Sequence, residues 1–311
     1  MLAELFHKTT LKSYFASIAF CLFSVIFIHY CKNNGTLRIE FIPNLIIFWL
    51  LLSGIIFLIS YLENKNFINT FRAIHLLSFP LVYLFFPHGK ELVLYKILIS
   101  LIIIFSKYSY SRIFNEKKSH LRLFDLSFLI VLLILYNLYF SFFLIIPITV
   151  FFYQKFRDLK HFVSFLIPLI SMPLIFKVIK KLFFYNYNFS LKFNYLVNTW
   201  QIEDNFYYSD IIWLISIFLS VISSILFLPR KFENVRYQGF IFMMFWLYIS
   251  IIIGFFKLQE GEGEWFLSFI PVAYFSGILI EKIKYNKIKN MTIYLLFFIG
   301  VIFKLIENKI I

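Results

Sequence analysis

Three carboxylates crowd one short stretch of this chain, Gln259-Glu260-Gly261-Glu262-Gly263-Glu264-Trp265. The glycines allow a tight turn, so Glu260, Glu262 and Glu264 could offer several oxygens to one hard divalent cation. The same acids could act as a general base or pair with a cationic group. The plainer reading is a solvated acidic turn. Glu40, with Arg38 two residues before it, stands just ahead of a long apolar run. It could act as a base on a lipid-linked substrate, or be an ordinary interfacial charge. Trp200, Glu203, Asp204 and Asp210 make a third group, and aromatic-plus-acid loops suit carbohydrate as well as a plain headgroup anchor. The sequence has no phosphate-cradling glycine loop, zinc spacing or nucleophile elbow. A divalent cation is therefore the one cofactor these residues suggest.

These side chains must be carried by something apolar. Of 311 residues, 61% are hydrophobic and 23% aromatic, and only 15% are charged. A soluble domain carries about a quarter charged residues. That composition excludes a soluble globular enzyme, a disordered chain and a disulfide scaffold. The formal charge of +14 sits in short segments between apolar runs. Such placement fits cytoplasmic loops and anionic headgroups, not nucleic acid. Cys21 and Cys31 fall on one helix about 15 Å apart, too far to pair, and read as small buried hydrophobes.

A spanning helix needs about 20 mostly apolar residues. Such runs lie near 13–30, 43–62, 72–87, 92–107, 125–153, 162–181, 210–229, 239–257, 265–281 and 291–306. They are continuous rather than alternating, so helices are predicted and not a barrel. The first run lacks a small-residue cleavage site and reads as a retained span.

Run 125–153 is long for one crossing and short for two. The segment before it holds Lys107, Arg112, Lys117, Lys118 and Arg122, and the one after it Lys155, Arg157 and Lys160. Both should lie on the cytoplasmic side. The chain is then predicted to go in and come back as two short helices turning near Asn137-Leu138-Tyr139-Phe140-Ser141. Eleven crossings follow, with the N-terminus cytoplasmic and the C-terminus outside. Most acids then fall outside. Lys177, Lys180 and Lys181 go against that map, and a longer helix running along the surface would absorb them. Asp125 is expected to cap the fifth span. Lys96 is expected to snorkel from its end of a span. His75 and Asn137 are expected to be satisfied inside the bundle. The span centres carry almost no charge, which argues against a proton-coupled pump or an ion channel.

Three stretches carry a family likeness: Phe6-His7-Lys8-Thr9-Thr10-Leu11-Lys12-Ser13-Tyr14, the Phe124-Asp125 pair ahead of the turn near Tyr139-Phe140, and Phe156-Arg157-Asp158-Leu159-Lys160-His161-Phe162 before the Pro168 and Pro173 span. On these the chain resembles a family of polytopic inner-membrane proteins of Bacteroidota to which no function is assigned. Leu126-Ser127 stands where that family has a glycine-rich helix. The chain is more loosely similar to multi-span glycosyltransferases and polymerases that use polyprenyl-phosphate sugars. Those share about eleven spans, a short mid-chain helical pair and acids on the outer face. That likeness implies a catalytic acid in the first outer loop, where Glu40 is the only one.

The expectation is one all-α integral membrane domain over 1–311, a transmembrane bundle of ten or eleven helices in the inner membrane. Its expected function is handling of a lipid-linked glycan at the outer face, with Glu40 as base and Arg38, Trp200, Asp204, Glu260, Glu262 and Glu264 as substrate or ion ligands. The alternatives are a structural subunit of a membrane complex and a transporter. The expected partners are membrane lipid and either the lipid-linked glycan or other membrane subunits.

Overall fold

The computed structural model describes residues 6, 10–33, 35–36, 42–65, 73–87, 94–114, 118–153, 156–183, 208–228, 235–258 and 265–308. Among these are eleven α-helices and one 3₁₀ helix, and no strand. In chain order α1 is Leu11–Lys32, α2 Ile42–Lys65, α3 Ala73–Phe85, α4 Leu94–Ile113 and α5 Ser119–Tyr136. The 3₁₀ helix Leu138–Leu144 leads into α6, Ile145–Val150. Then follow α7 Leu159–Phe183, α8 Tyr208–Leu226, α9 Val235–Leu258, α10 Phe266–Lys282 and α11 Asn286–Glu307. Six helical stretches, Leu11–Lys32, Leu45–Leu62, Ser119–Tyr136, Leu159–Val178, Tyr237–Phe255 and Asn286–Glu307, are long and apolar enough to cross a membrane. The chain is an all-α, multi-pass membrane protein.

The chain divides into two compact units. The first comprises Met1–Ile97, Glu203–Pro229 and Glu262–Ile311, and so holds α1, α2, α3, α8, α10 and α11. Helix α10 is apolar all round and buried almost throughout, from Phe266 to Ile280. It therefore forms the centre of this unit, packed by α3, α8 and α11. Side-chain contacts fix the helix directions. On α1 and α3, Ser17 Oγ donates to the Leu76 carbonyl (2.7 Å) and Ser24 Oγ to that of Pro80 (3.3 Å), so these two run parallel. Phe20 and Phe23 meet Phe297 of α11, which runs the same way, as the nearness of Cys31 to Lys304 requires. On α10, Phe269 meets Phe86 while Tyr274 meets His75, so α10 runs against α3. Trp213 bonds Ser268 and Ser223 bonds the Phe275 carbonyl, so α8 runs with α10. Tyr14 bonds Ser60, so α2 runs against α1. The C-termini of α1, α3 and α11 thus share one end of the unit with the N-termini of α2, α8 and α10.

Small polar side chains make these close contacts possible. Ser13, Ser17, Cys21 and Ser24 form a buried stripe on α1, while Phe15, Phe23 and Ile26 are exposed. Lipid chains are as apolar as any core, so small residues that let backbones approach drive the packing. Ser17 has a further task. Pro80 lies inside α3 and has no N–H for the Leu76 carbonyl four residues earlier. The Ser17 hydroxyl supplies the missing donor, as an apolar surrounding requires.

The second unit comprises Leu98–Ile202 and Arg230–Gly261, and holds most of α4 with α5, the 3₁₀ helix, α6, α7 and α9. Here the in-and-back path of run 125–153 is visible. Helix α5 ends at Asn137, which is extended (φ −152°, ψ 130°) and caps the 3₁₀ helix by accepting the Tyr139 N–H at 3.0 Å. Asn137 is thus satisfied, as expected. The seven 3₁₀ and six α residues that follow rise about 23 Å together, because a 3₁₀ turn is drawn out to about 2.0 Å per residue. The eighteen residues of α5 rise about 27 Å. The returning arm is therefore nearly as tall, and it brings Tyr153 and Phe156 back to Phe114, with ring centroids 5.0 and 5.3 Å apart. The two basic segments meet at one end of this unit, as charge alone predicted. Asp125 does not cap α5. That helix begins at Ser119, almost two turns earlier, and Asp125 instead accepts from Arg122 at 3.2 Å. The backbone of Lys177, Lys180 and Lys181 continues α7 without a break.

Candidate functional site

Arg38, Glu40, Trp200, Glu203, Asp204, Glu260, Glu262 and Glu264 lie outside the described residues. Their chain neighbours do not. In sequence Glu40 stands two residues before α2, Asp204 four before α8 and Glu264 two before α10. The first turns of those three helices lie at the same end of the first unit.

That end is charged inside. Lys304, in the last turn of α11, is only 1% exposed and donates to Glu307 Oε2 at 2.5 Å. An unpaired buried ammonium is costly, so the i,i+3 carboxylate is what makes its burial tolerable. Asp210, in the first turn of α8, and Cys31, in the last turn of α1, are within electrostatic reach of it. Both charged residues also suit their helix dipoles, the acid at an N-terminus and the base at a C-terminus. Lys96 is buried, with Nζ 5.4 Å from the Phe266 ring centroid. It lies over an aromatic face instead of reaching for the headgroups as expected. At the same end Trp213 donates to Ser268 at 3.0 Å and packs edge-on against Phe86. This end of the unit thus holds Lys304 with Glu307 and Asp210, and, over Phe266, the second buried amine of Lys96.

The opposite end of this unit holds His75. It is fully buried, its Nδ1 is 4.0 Å from Glu281 Oε2, and its ring lies tilted against that of Tyr274 with centroids 5.5 Å apart. Gly277 leaves the space the imidazole fills: a Cβ there would come within 2.8 Å of His75 Cδ2. His75 lies inside the bundle, with Nδ1 toward Glu281, but its Nε2 makes no hydrogen bond among the described residues, so the expectation of a fully satisfied histidine is not met.

The second unit holds a hydrogen-bonded chain at its basic end. His161 Nδ1 bonds Asp158 Oδ1, and His161 Nε2 lies 2.8 Å from Ser119 Oγ. Asp158 also accepts the His161 backbone N–H at 3.4 Å, and so caps α7. The His161 bond holds the Asp158 carboxyl below the usual carboxylate range. Ser119 and His161 are buried, whereas Asp158 is exposed.

Sequence reasoning did not single out Lys304 with Glu307, His75 with Glu281, or Ser119 with His161. Two local signals were present: Lys-x-x-Glu spacing on a helix and Asp-x-x-His at a helix start. Nothing local marks Ser119. Among the described residues no group of three or more His, Cys, Asp or Glu is arranged to hold a metal ion. No family model, curated protein or solved structure matches this chain.

Proposed function

We propose that this chain is an inner-membrane protein that handles a polyprenyl-phosphate-linked glycan at the outer face, using the α2–α8–α10 end of its first unit. One observation supports this reading above others: the helix starts that follow Glu40, Asp204 and Glu264 in sequence share one end of the first unit with the buried Lys304–Glu307 pair, Asp210 and Lys96. Ionisable groups placed in a membrane protein at such cost mark a site more often than a scaffold. The amines would neutralise a phosphate and Glu40 would accept a proton from the attacking hydroxyl. Arg38, Asp204, Glu262 and Glu264 would orient sugar, phosphate or a divalent cation. The excess of lysine and arginine in the other set of loops supports placing this end outside.

The test is to purify the intact chain and identify co-purifying lipids by mass spectrometry. A polyprenyl-phosphate species is expected with the natural sequence and at least tenfold less with Lys304→Met. Glycan transfer in cells is expected to stop in Glu40→Gln with the protein level unchanged. Normal transfer by that variant, or no such lipid on the intact protein, would end the reading.

A further inference from the structure

The second unit carries the parts of a serine acyl-transfer centre, assembled from two segments far apart in sequence. His161 donates from Nδ1 to Asp158, which leaves Nε2 as an acceptor. With a neutral imidazole the hydrogen in the 2.8 Å contact is the serine's own, and Ser119 Oγ then donates to Nε2. A serine whose proton is already directed at an imidazole, itself oriented by a carboxylate, is the arrangement that activates a hydroxyl for attack on an acyl carbon. Ser119 is also the first residue of α5. The N–H groups of a first helical turn have no acceptor within the helix. Leu121 N–H already bonds the Lys118 carbonyl at 3.1 Å, so the donors nearest Ser119 in this turn are its own N–H and that of His120.

A cap and an interhelical tether would account for part of this. The capping bond needs only Asp158 and the His161 backbone N–H. It does not need the imidazole to bridge onward to a serine on another helix. The surroundings suggest the substrate class. Lys118, Arg157 and Lys160 are exposed around the buried pair, and so are the apolar Phe152, Leu159 and Phe162. Basic side chains beside exposed apolar ones at the end of a membrane bundle fit an anionic lipid headgroup with its acyl chain alongside.

We propose that Ser119, His161 and Asp158 form a hydrolytic site for the carboxylic ester of an anionic lipid. Ser119 Oγ attacks the ester carbonyl while His161 Nε2 takes its proton, forming an acyl-serine. The proton passes to the departing alkoxide, which leaves as an alcohol. Water, deprotonated by the same nitrogen, then attacks the acyl-serine, releases the carboxylic acid and returns the proton to Ser119.

The intact protein in detergent is treated with a fluorophosphonate probe, and the adduct is mapped by mass spectrometry. Labelling of Ser119 is expected. It should vanish in Ser119→Ala and fall about a hundredfold or more in His161→Gln. Asp158→Asn keeps a good capping residue, so it should stay folded, with a modestly lower melting point, while labelling at least tenfold more slowly. Phosphatidylglycerol vesicles with a labelled acyl chain should release fatty acid faster than phosphatidylcholine vesicles, and not at all with Ser119→Ala. No adduct on Ser119 in the folded natural protein, or one that survives His161→Gln unchanged, overturns the site. Labelling without fatty-acid release overturns the lipid ester as its substrate.

Discussion

Ser119 Oγ and His161 Nε2 lie 2.8 Å apart although 42 residues separate them in sequence. This contact ties the start of α5 to the start of α7. It can form only because the intervening chain leaves the end at Ser119 and returns to it through the turn at Asn137. The path implies a membrane topology. Cysteines placed at Lys118 and Lys160, both exposed, are expected to resist a membrane-impermeant thiol reagent in intact cells. One placed at Leu138, at the far turn, is expected to react. Cys21 and Cys31 are buried and free, so they should give little background. Reaction at only one of the two lysine positions would contradict the in-and-back path.

Ser17 and Pro80 should be energetically coupled. Ser17→Ala leaves the Leu76 carbonyl without its side-chain donor and is expected to destabilise the protein by about 1 kcal/mol. Pro80→Ala restores a backbone N–H to that carbonyl. A double-mutant cycle on thermal unfolding in detergent should then find Ser17→Ala less harmful in the Pro80→Ala background. Equal costs in both backgrounds would separate the two residues.

Two helical glycines should answer oppositely to alanine. At Gly277 a Cβ would meet His75 at 2.8 Å and Ser78 Oγ at 3.1 Å, in a packed centre that cannot give way. Gly277→Ala is expected to cost about 1–3 kcal/mol. At Gly54 nothing lies within 4 Å of the added carbon. Gly54→Ala should be neutral or stabilising by up to about 1 kcal/mol, from helix propensity alone. Unfolding midpoints of the two variants check the contrast.

The Lys304–Glu307 pair is buried on the lysine side. Glu307→Gln strands the ammonium and should destabilise by about 3 kcal/mol, while replacing both, with Lys304→Met, should recover much of the loss. If the single and double variants unfold alike, Lys304 does not depend on Glu307.

Acid should weaken the start of α7. The Asp158 carboxyl titrates lower in the folded protein than its ordinary 3.8, chiefly through its bond to His161. A depressed carboxyl stabilises the fold above its unfolded value and loses that contribution as pH falls through the folded one. The unfolding midpoint should therefore drop below about pH 4. Asp158→Asn should show less of that drop. An identical acid profile for the variant would place the loss elsewhere.

The amino-acid sequence by itself determined that the chain is helical and roughly where the helices lie, though not every end: α5 starts at Ser119 and not at Asp125. Long apolar runs bounded by lysine and arginine leave few other structures possible in lipid, and the charge on both flanks of 125–153 set the return path before any contact was known. It did not determine which helices are central. The windows of α10 and α7 are both apolar, yet Phe266–Ile280 is buried almost throughout while Ile170, Leu174 and Val178 face outward. Lipid and protein interior are alike in polarity, so hydrophobicity carries no burial signal there. Nor could local pattern bring Ser119 to His161 or Asp210 to Lys304. Those meetings depend on which helix lies beside which, and that is decided by serine stripes, a proline's missing donor and the space left by single glycines.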